Sequence, residues 1–165
     1  MYNKNGFIIY YYLLMDLMSL EIYLDVCALC RPYDDQSYLR IKFETLAVKI
    51  ILSKVKTGIY SLLISPVHTE EINNIENISQ RFQINNIIRT FGKPVKIDLC
   101  KAKERTEDLL NAGFGLADAA HIAFAEISKA CFVSCDDKLI KKCLKYRINI
   151  WCGNPVAFCV KEGLE

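Results

Sequence analysis

EIYLDVCALCRPYDDQ, residues 21–36, is the stretch that decides the fold. Ile22 to Val26 reads as a strand covered on both faces, with Asp25 near its carboxyl end, and the run gives way to a loop carrying Arg31, Pro32, Asp34 and Asp35. Downstream, short apolar runs alternate with amphipathic segments, the pattern of strands joined by helices around a parallel sheet.

The spacing predicts a helix from Tyr38 to about Lys56, because Leu39, Phe43, Leu46 and Ile50 recur on one face and Gly58 follows. Tyr60 to Ser65 is a second expected strand, and Pro66 suits the first turn of the helix that carries Glu70 and Glu71. Gln80 to Phe91 reads as helix, stopped by Gly92 and Pro94, with a short strand expected over Val95 to Leu99. Another helix runs from about Lys101 to the turn-rich Asn111 to Gly115, and the next begins near Leu116 with Asp118 in its first turn. Ala130 to Ser134 is a buried strand with Asp136 just beyond it. Lys138 to Tyr146 is then expected as helix, Ile148 to Trp151 as strand and Asn154 to Val160 as helix.

A chain of 165 residues can bury one core without disulfides or a structural metal. Its net charge of +2, with both signs mixed, excludes a strong global field for nucleic acid, so any polyanion site must be local. The eight cysteines fall mostly inside apolar runs; Cys27 and Cys30 form a CxxC without the second ligand pair of a zinc site, and free thiols in a reducing cytosol are expected. GFIIYYYLLMDLMSL, residues 6–20, is apolar, but Asp16 interrupts it short of the ~20 residues a spanning helix needs. Residues 1–20 are therefore expected to be an apolar extension outside the fold, the first 17 reading as an upstream extension. The domain proper is expected over 21–165, with no membrane association and a cytoplasmic location.

The chemistry is in the acids. Ligands of open parallel sheets bind outside the carboxyl ends of the strands, the address of both Asp25 and Asp136. Glu71 and Asp118 lie in early helical turns that can approach the same edge. Taken singly, each acid is explained by a turn, a helix cap or a solvated face. Taken together, they would repel one another unless a cation held them, and Mg²⁺ or Mn²⁺ matches oxygen ligands.

IYLDVCALCRPYDDQ, SPVHTEEI, AGFGLADAAHIAFAE and CFVSCDDKLIKK, in that order, resemble the motifs of PIN-domain proteins from about Glu21 to Glu165. The resemblance implies an α/β three-layer α/β/α sandwich with a central, mostly parallel sheet. It also implies a Mg²⁺- or Mn²⁺-dependent ribonuclease of the VapC toxin type, with RNA as substrate, a cognate antitoxin as partner and a homodimer as an assembly. Matched motif by motif, Asp25, Asp118 and Asp136 would be the main metal ligands, and Glu71, chosen over Glu70, would complete the shell or position the attacking water. Many members carry Asp-Thr-Asn at the first motif, where this chain has Asp25, Val26 and Cys27. The RPYDDQ segment resembles the RPFDDQ variant of one subgroup.

Lys138, Lys141, Lys142 and Lys145 form a basic stripe beside Asp136 that could hold an RNA backbone, or serve as a solvated face. Arg31 could meet a phosphate or pair with Asp34. His121, one turn from Asp118, could touch the site but is expected to pack or hydrogen-bond within the fold, and the sequence names no partner for His68. Trp151 and Phe158 read as core. Two other functions remain open: a PIN fold that binds RNA or protein without cleaving, and a phosphatase with Asp25 as nucleophile. Cys27 stands where the latter needs a second aspartate.

Overall fold

A computed structural model describes residues 19–164. The expectation for the apolar extension falls on residues outside the described ones, except at its end. Leu20 belongs to the first strand, so the fold begins at least one residue earlier than the boundary expected at Glu21.

Five strands form one parallel sheet: β1 (Leu20–Leu24), β2 (Tyr60–Ile64), β3 (Gly92–Pro94), β4 (Cys131–Val133) and β5 (Cys152–Gly153), in the spatial order β3-β2-β1-β4-β5. The described helices are α1 (Val26–Cys30), α2 (Leu39–Lys56), α3 (Pro66–Asn73), α4 (Ile78–Phe91), α5 (Leu99–Asn111), α6 (Leu116–Ile127), α7 (Asp137–Lys145) and α8 (Pro155–Glu162), with a 3₁₀ turn at Arg31–Tyr33. None of them is long and apolar enough to cross a membrane.

Strand side chains alternate between two apolar layers. Ile22, Leu24, Leu62, Cys131 and Val133 join Ile51, Ile84, Ile88 and Phe158 from α2, α4 and α8 on one face. Tyr23, Leu63 and Phe132 join Leu109, Ile122, Ala123, Leu139 and Cys143 from α5, α6 and α7 on the other. The result is the three-layer α/β/α sandwich that the sequence led us to expect. Because the chain builds outward from β1 through β2 to β3 and then returns to the far side of β1 for β4, the order reverses between β1 and β4. That switch point is where the carboxyl edge of such a sheet opens a crevice.

Three sequence expectations fail here. The third strand is Gly92–Pro94, not Val95 to Leu99, and the fifth is Cys152–Gly153, not Ile148 to Trp151. Both are short edge strands, defined by pairing with β2 and β4 and not by their own apolar period. In α2 the stripe of Leu39, Phe43 and Leu46 faces outward, each residue more than half exposed, while Glu44, Ala47, Val48, Ile51 and Val55 are buried. Both stripes have helical spacing, and tertiary packing chose between them. Phe158 is core as expected, whereas Trp151 is only partly buried against it. All eight cysteines are free thiols, Cys100 exposed and Cys131, Cys135, Cys143 and Cys159 buried.

Candidate metal centre

β1 ends at Leu24, and Asp25 turns the chain into α1. Its N–H donates to the Val133 carbonyl at 2.9 Å, extending the β1–β4 ladder, while its own carbonyl accepts the N–H groups of Ala28 and Leu29. The backbone therefore fixes Asp25 at the switch point before its side chain does anything. Asp25 Oδ2 accepts the Ser134 hydroxyl at 2.6 Å and the Cys27 thiol at 3.0 Å. Hydrogen bonding with Cys135, burial and the Asp25 charge all raise the pKa of the Cys27 thiol, keeping it a protonated donor. Cys27, at the position where the resemblance leads one to expect an asparagine amide for a ligand or phosphate, turns its thiol to the aspartate instead. Oδ1 is left to face the crevice.

α3 brings the glutamate. Ser65 caps it, Pro66 occupies its first position, and His68 reaches back to accept the Ser65 N–H at 3.1 Å through Nδ1, as a capping-box glutamate or glutamine would. One turn on, Glu71 Oε2 lies 2.9 Å from His121 Nε2, and Asp25 Oδ1 lies 4.0 Å from the same nitrogen. Glu70 is exposed and lines a separate surface hollow with Thr69 and Leu99. Asp25, Glu71 and His121 each offer one donor atom, all within 4.8 Å of one another.

Asp118 and Asp136 flank this triad and stand outside its tightest grouping. Asp118 is half-buried in the first turn of α6, and a Cβ at Gly115 would lie only 3.3 Å from its Oδ2. Burial, then the charges of Asp25 and Asp136, raise its pKa, Glu71 adds to the rise and His121 opposes it. These groups therefore share one field. Asp136 is exposed and caps α7, its Oδ1 accepting the N–H groups of Lys138 and Leu139 at 2.7 and 3.1 Å. Its own N–H donates to Ser134 Oγ at 3.1 Å, which ties it to the hydroxyl that holds Asp25. The sequence ranked Asp25, Asp118 and Asp136 above Glu71; the donors that converge most closely are instead Asp25, Glu71 and His121.

The donor set fits the divalent cation implied by the PIN resemblance. Two ligand atoms on one octahedral ion lie ~3 Å apart when adjacent and ~4 Å when opposite. The separations to His121 Nε2 are 2.9 and 4.0 Å. Carboxylates crowded at a sheet edge are also the arrangement that a cation relieves.

Behind the site runs a buried polar chain that sequence reasoning missed. His121 Nδ1 meets the Tyr23 hydroxyl at 2.7 Å, that hydroxyl meets Ser65 Oγ at 2.5 Å, and Ser65 Oγ lies 3.2 Å from His68 Nδ1. His68 Nε2 donates to the Leu24 carbonyl at 2.9 Å. His121 does hydrogen-bond within the fold, as expected, while also contributing to the site; His68, for which the sequence named no partner, has two, Ser65 and Leu24. The only signal in the sequence was spacing: His121 follows Asp118 by three residues and so shares its helical face.

Burial, with the nearby His121 also contributing, lowers the pKa of His68 from 6.5 to about 4. The unfolded chain then binds more protons than the folded one between those values, so His68's contribution is complete above pH 6.5 and is lost on acidification towards 4. We expect unfolding free energies from urea titrations to fall by up to roughly 3 kcal/mol over that window. His68→Gln, which keeps an acceptor for the Ser65 N–H, should flatten the dependence.

The remaining predicted contacts divide. The Arg31 guanidinium is committed inward: it donates to Asp34 at 2.8 Å and to the Cys135 carbonyl at 3.4 Å, and it lies 2.8 Å from Glu44 as an ion pair without hydrogen-bond alignment. It thus takes the Asp34 pairing and not a free phosphate-facing position. Lys138 and Lys141 are exposed beside Asp136. Lys142 instead donates to the Gly113 carbonyl and lies over the Phe114 ring, its Nζ 4.7 Å from the centroid, while Lys145 lies 5.6 Å from that of Tyr146.

No protein-family model matches the chain, and comparison with curated proteins finds no match. Among solved structures, the crystal structure of FitAcB from Neisseria gonorrhoeae is similar, with a TM-score of 0.51 and 13% sequence identity over 81% of this chain and 97% of that one. At that identity the likeness speaks for architecture alone; together with the five-stranded parallel sheet and its two helical layers it gives the chain a PIN-like α/β/α fold.

Proposed function

We infer that this protein is a Mg²⁺- or Mn²⁺-dependent endoribonuclease, the toxin of a type II toxin–antitoxin pair. The observation that carries the reading is the convergence of Asp25, Glu71 and His121 donors at the switch point of the sheet, flanked by the Asp118 and Asp136 carboxylates. The toxin assignment, and with it a cognate antitoxin and a homodimer, rests on the VapC-type resemblance of the ordered motifs.

A divalent cation bound here would lower the pKa of a water and stabilise charge on the leaving oxygen of a phosphodiester. The chain's own residues do the rest. Asp25 is held by Ser134 and Cys27, so that Oδ1 alone faces the crevice. Glu71, with its side chain about one-third exposed, can orient a water at the edge of the crevice. The exposed Lys138 and Lys141 can hold the RNA backbone in register beside Asp136.

Cleavage of labelled single-stranded RNA by the purified full chain, with Mg²⁺ or Mn²⁺ against EDTA, tests the reading. Metal-dependent cutting is expected; RNA binding without cutting would favour a non-catalytic binding module. If the lysines hold backbone, Lys138→Ala with Lys141→Ala should weaken binding to all sequences alike and reduce the slope of log K against log salt by ~0.7 per lost phosphate contact. An unchanged slope assigns both to a solvated face.

A further inference from the structure

We propose that His121 is a direct nitrogen ligand of the metal, held in the ligating tautomer by the buried Tyr23–Ser65–His68 chain, so that the site prefers a first-row transition ion such as Mn²⁺ to Mg²⁺. The proposal rests on the metal-binding reading of the site and deepens it by naming the ion class.

Proton accounting along the chain carries the argument. His68 Nε2 must carry a hydrogen, because its partner is the Leu24 carbonyl, which can only accept. His68 Nδ1 is consequently an acceptor, and it receives the Ser65 N–H. Two proton patterns then satisfy every remaining group. In one, Ser65 donates to Tyr23, Tyr23 donates to His121 Nδ1, and His121 Nε2–H points at Glu71. In the other, both hydroxyls rotate: His121 Nδ1–H donates to Tyr23, Tyr23 donates to Ser65, and Ser65 donates to His68 Nδ1, shared with the Ser65 N–H. The proton count is the same in both, and the single imidazole proton has moved from Nε2 to Nδ1.

The second pattern leaves a bare Nε2 lone pair facing Asp25 Oδ1 and Glu71 Oε2. A metal-bound histidine needs this arrangement, in which the other ring nitrogen donates to a fixed acceptor behind it. A histidine serving only as a prop for Glu71 needs one acceptor at Nδ1. Here the chain continues through Tyr23, Ser65 and His68, all at most 2% exposed, to an acceptor that closes the reversed direction. Imidazole favours first-row transition ions, whereas Mg²⁺ takes oxygen donors, so one nitrogen among carboxylates shifts the preference.

Pulsed electron paramagnetic resonance on the full chain loaded with Mn²⁺ alone tests the ligand directly. A nitrogen coupling of bound imidazole is expected, changing on ¹⁵N-histidine labelling; a Mn²⁺ spectrum without it overturns the proposal. Calorimetric titration with each metal supplies a second readout. Tyr23→Phe should weaken Mn²⁺ binding by ~10-fold or more, and His121→Asn should weaken it further, with Mg²⁺ affected several-fold less in both. Equal losses for the two ions would contradict the proposal even if His121→Asn fails to fold and Tyr23→Phe alone is measured. Nitrogen coupling in a protein that does not cut RNA would sink the nuclease reading and keep this one; metal-dependent cutting without the coupling does the reverse. No Mn²⁺ binding at all removes both.

Discussion

Asp25→Asn is expected to lower metal-dependent RNA cleavage by about 10³-fold, the several kcal/mol a correctly held cation contributes to charge stabilisation. The amide preserves shape and still offers an oxygen to the Ser134 hydroxyl at the Oδ2 position, so the fold should survive. In EDTA the variant should be as stable as wild type or more so, because one of the mutually repelling charges around Asp118 has gone. Loss of function with retained or increased stability is the behaviour of a residue whose charge serves a ligand. Thermal unfolding in EDTA and single-turnover cleavage, measured on the same preparation, check both halves.

Glu44→Ala should produce the largest stability loss of any single change outside the apolar core. Glu44 is 2% exposed and lies 2.8 Å from both Arg31 and Arg40. Removing it takes from Arg31, whose side chain is only 17% exposed, its one buried counter-charge and leaves it the more exposed Asp34, at a cost of about 3 kcal/mol. Arg40 also grips Asp137 with two bonds of 2.6 and 2.7 Å, so Glu44 links α2 to the start of α7. Loosening that link should disturb Asp136, which caps the same helix. Urea unfolding should give the loss; Glu44→Gln, which retains one neutral acceptor, should cost about half as much.

The strand–helix alternation was legible because β1, β2 and β4 hold short apolar runs buried on both faces, Ile22–Leu24, Leu62–Leu63 and Cys131–Val133, and the carboxyl-edge address of Asp25 and Asp136 follows from where those runs stop. Edge strands escaped, since Gly-Lys-Pro and Cys-Gly carry no period and exist through pairing. The face of α2 escaped because Leu39, Phe43 and Leu46 are as apolar as the buried stripe. His121 is the instructive residue: its spacing from Asp118 was visible, but its convergence with Glu71 across 50 residues of sequence depends on how α3 and α6 meet. The partners of Tyr23 and Ser65 were illegible for the same reason. A tyrosine in an apolar strand and a serine before a proline look like core and cap, and here both are also links in a buried polar chain.

The central claim, that these side chains form a cation site, is tested most directly by melting temperature as a function of Mn²⁺ concentration in wild type and Asp25→Asn. A ligand bound only by the folded state stabilises it by RT ln(1 + [L]/Kd), so the wild-type transition should climb steadily once the metal exceeds its Kd, while the variant stays flat or climbs only at much higher concentrations. A flat wild-type curve, or the same climb in both proteins, would contradict the account.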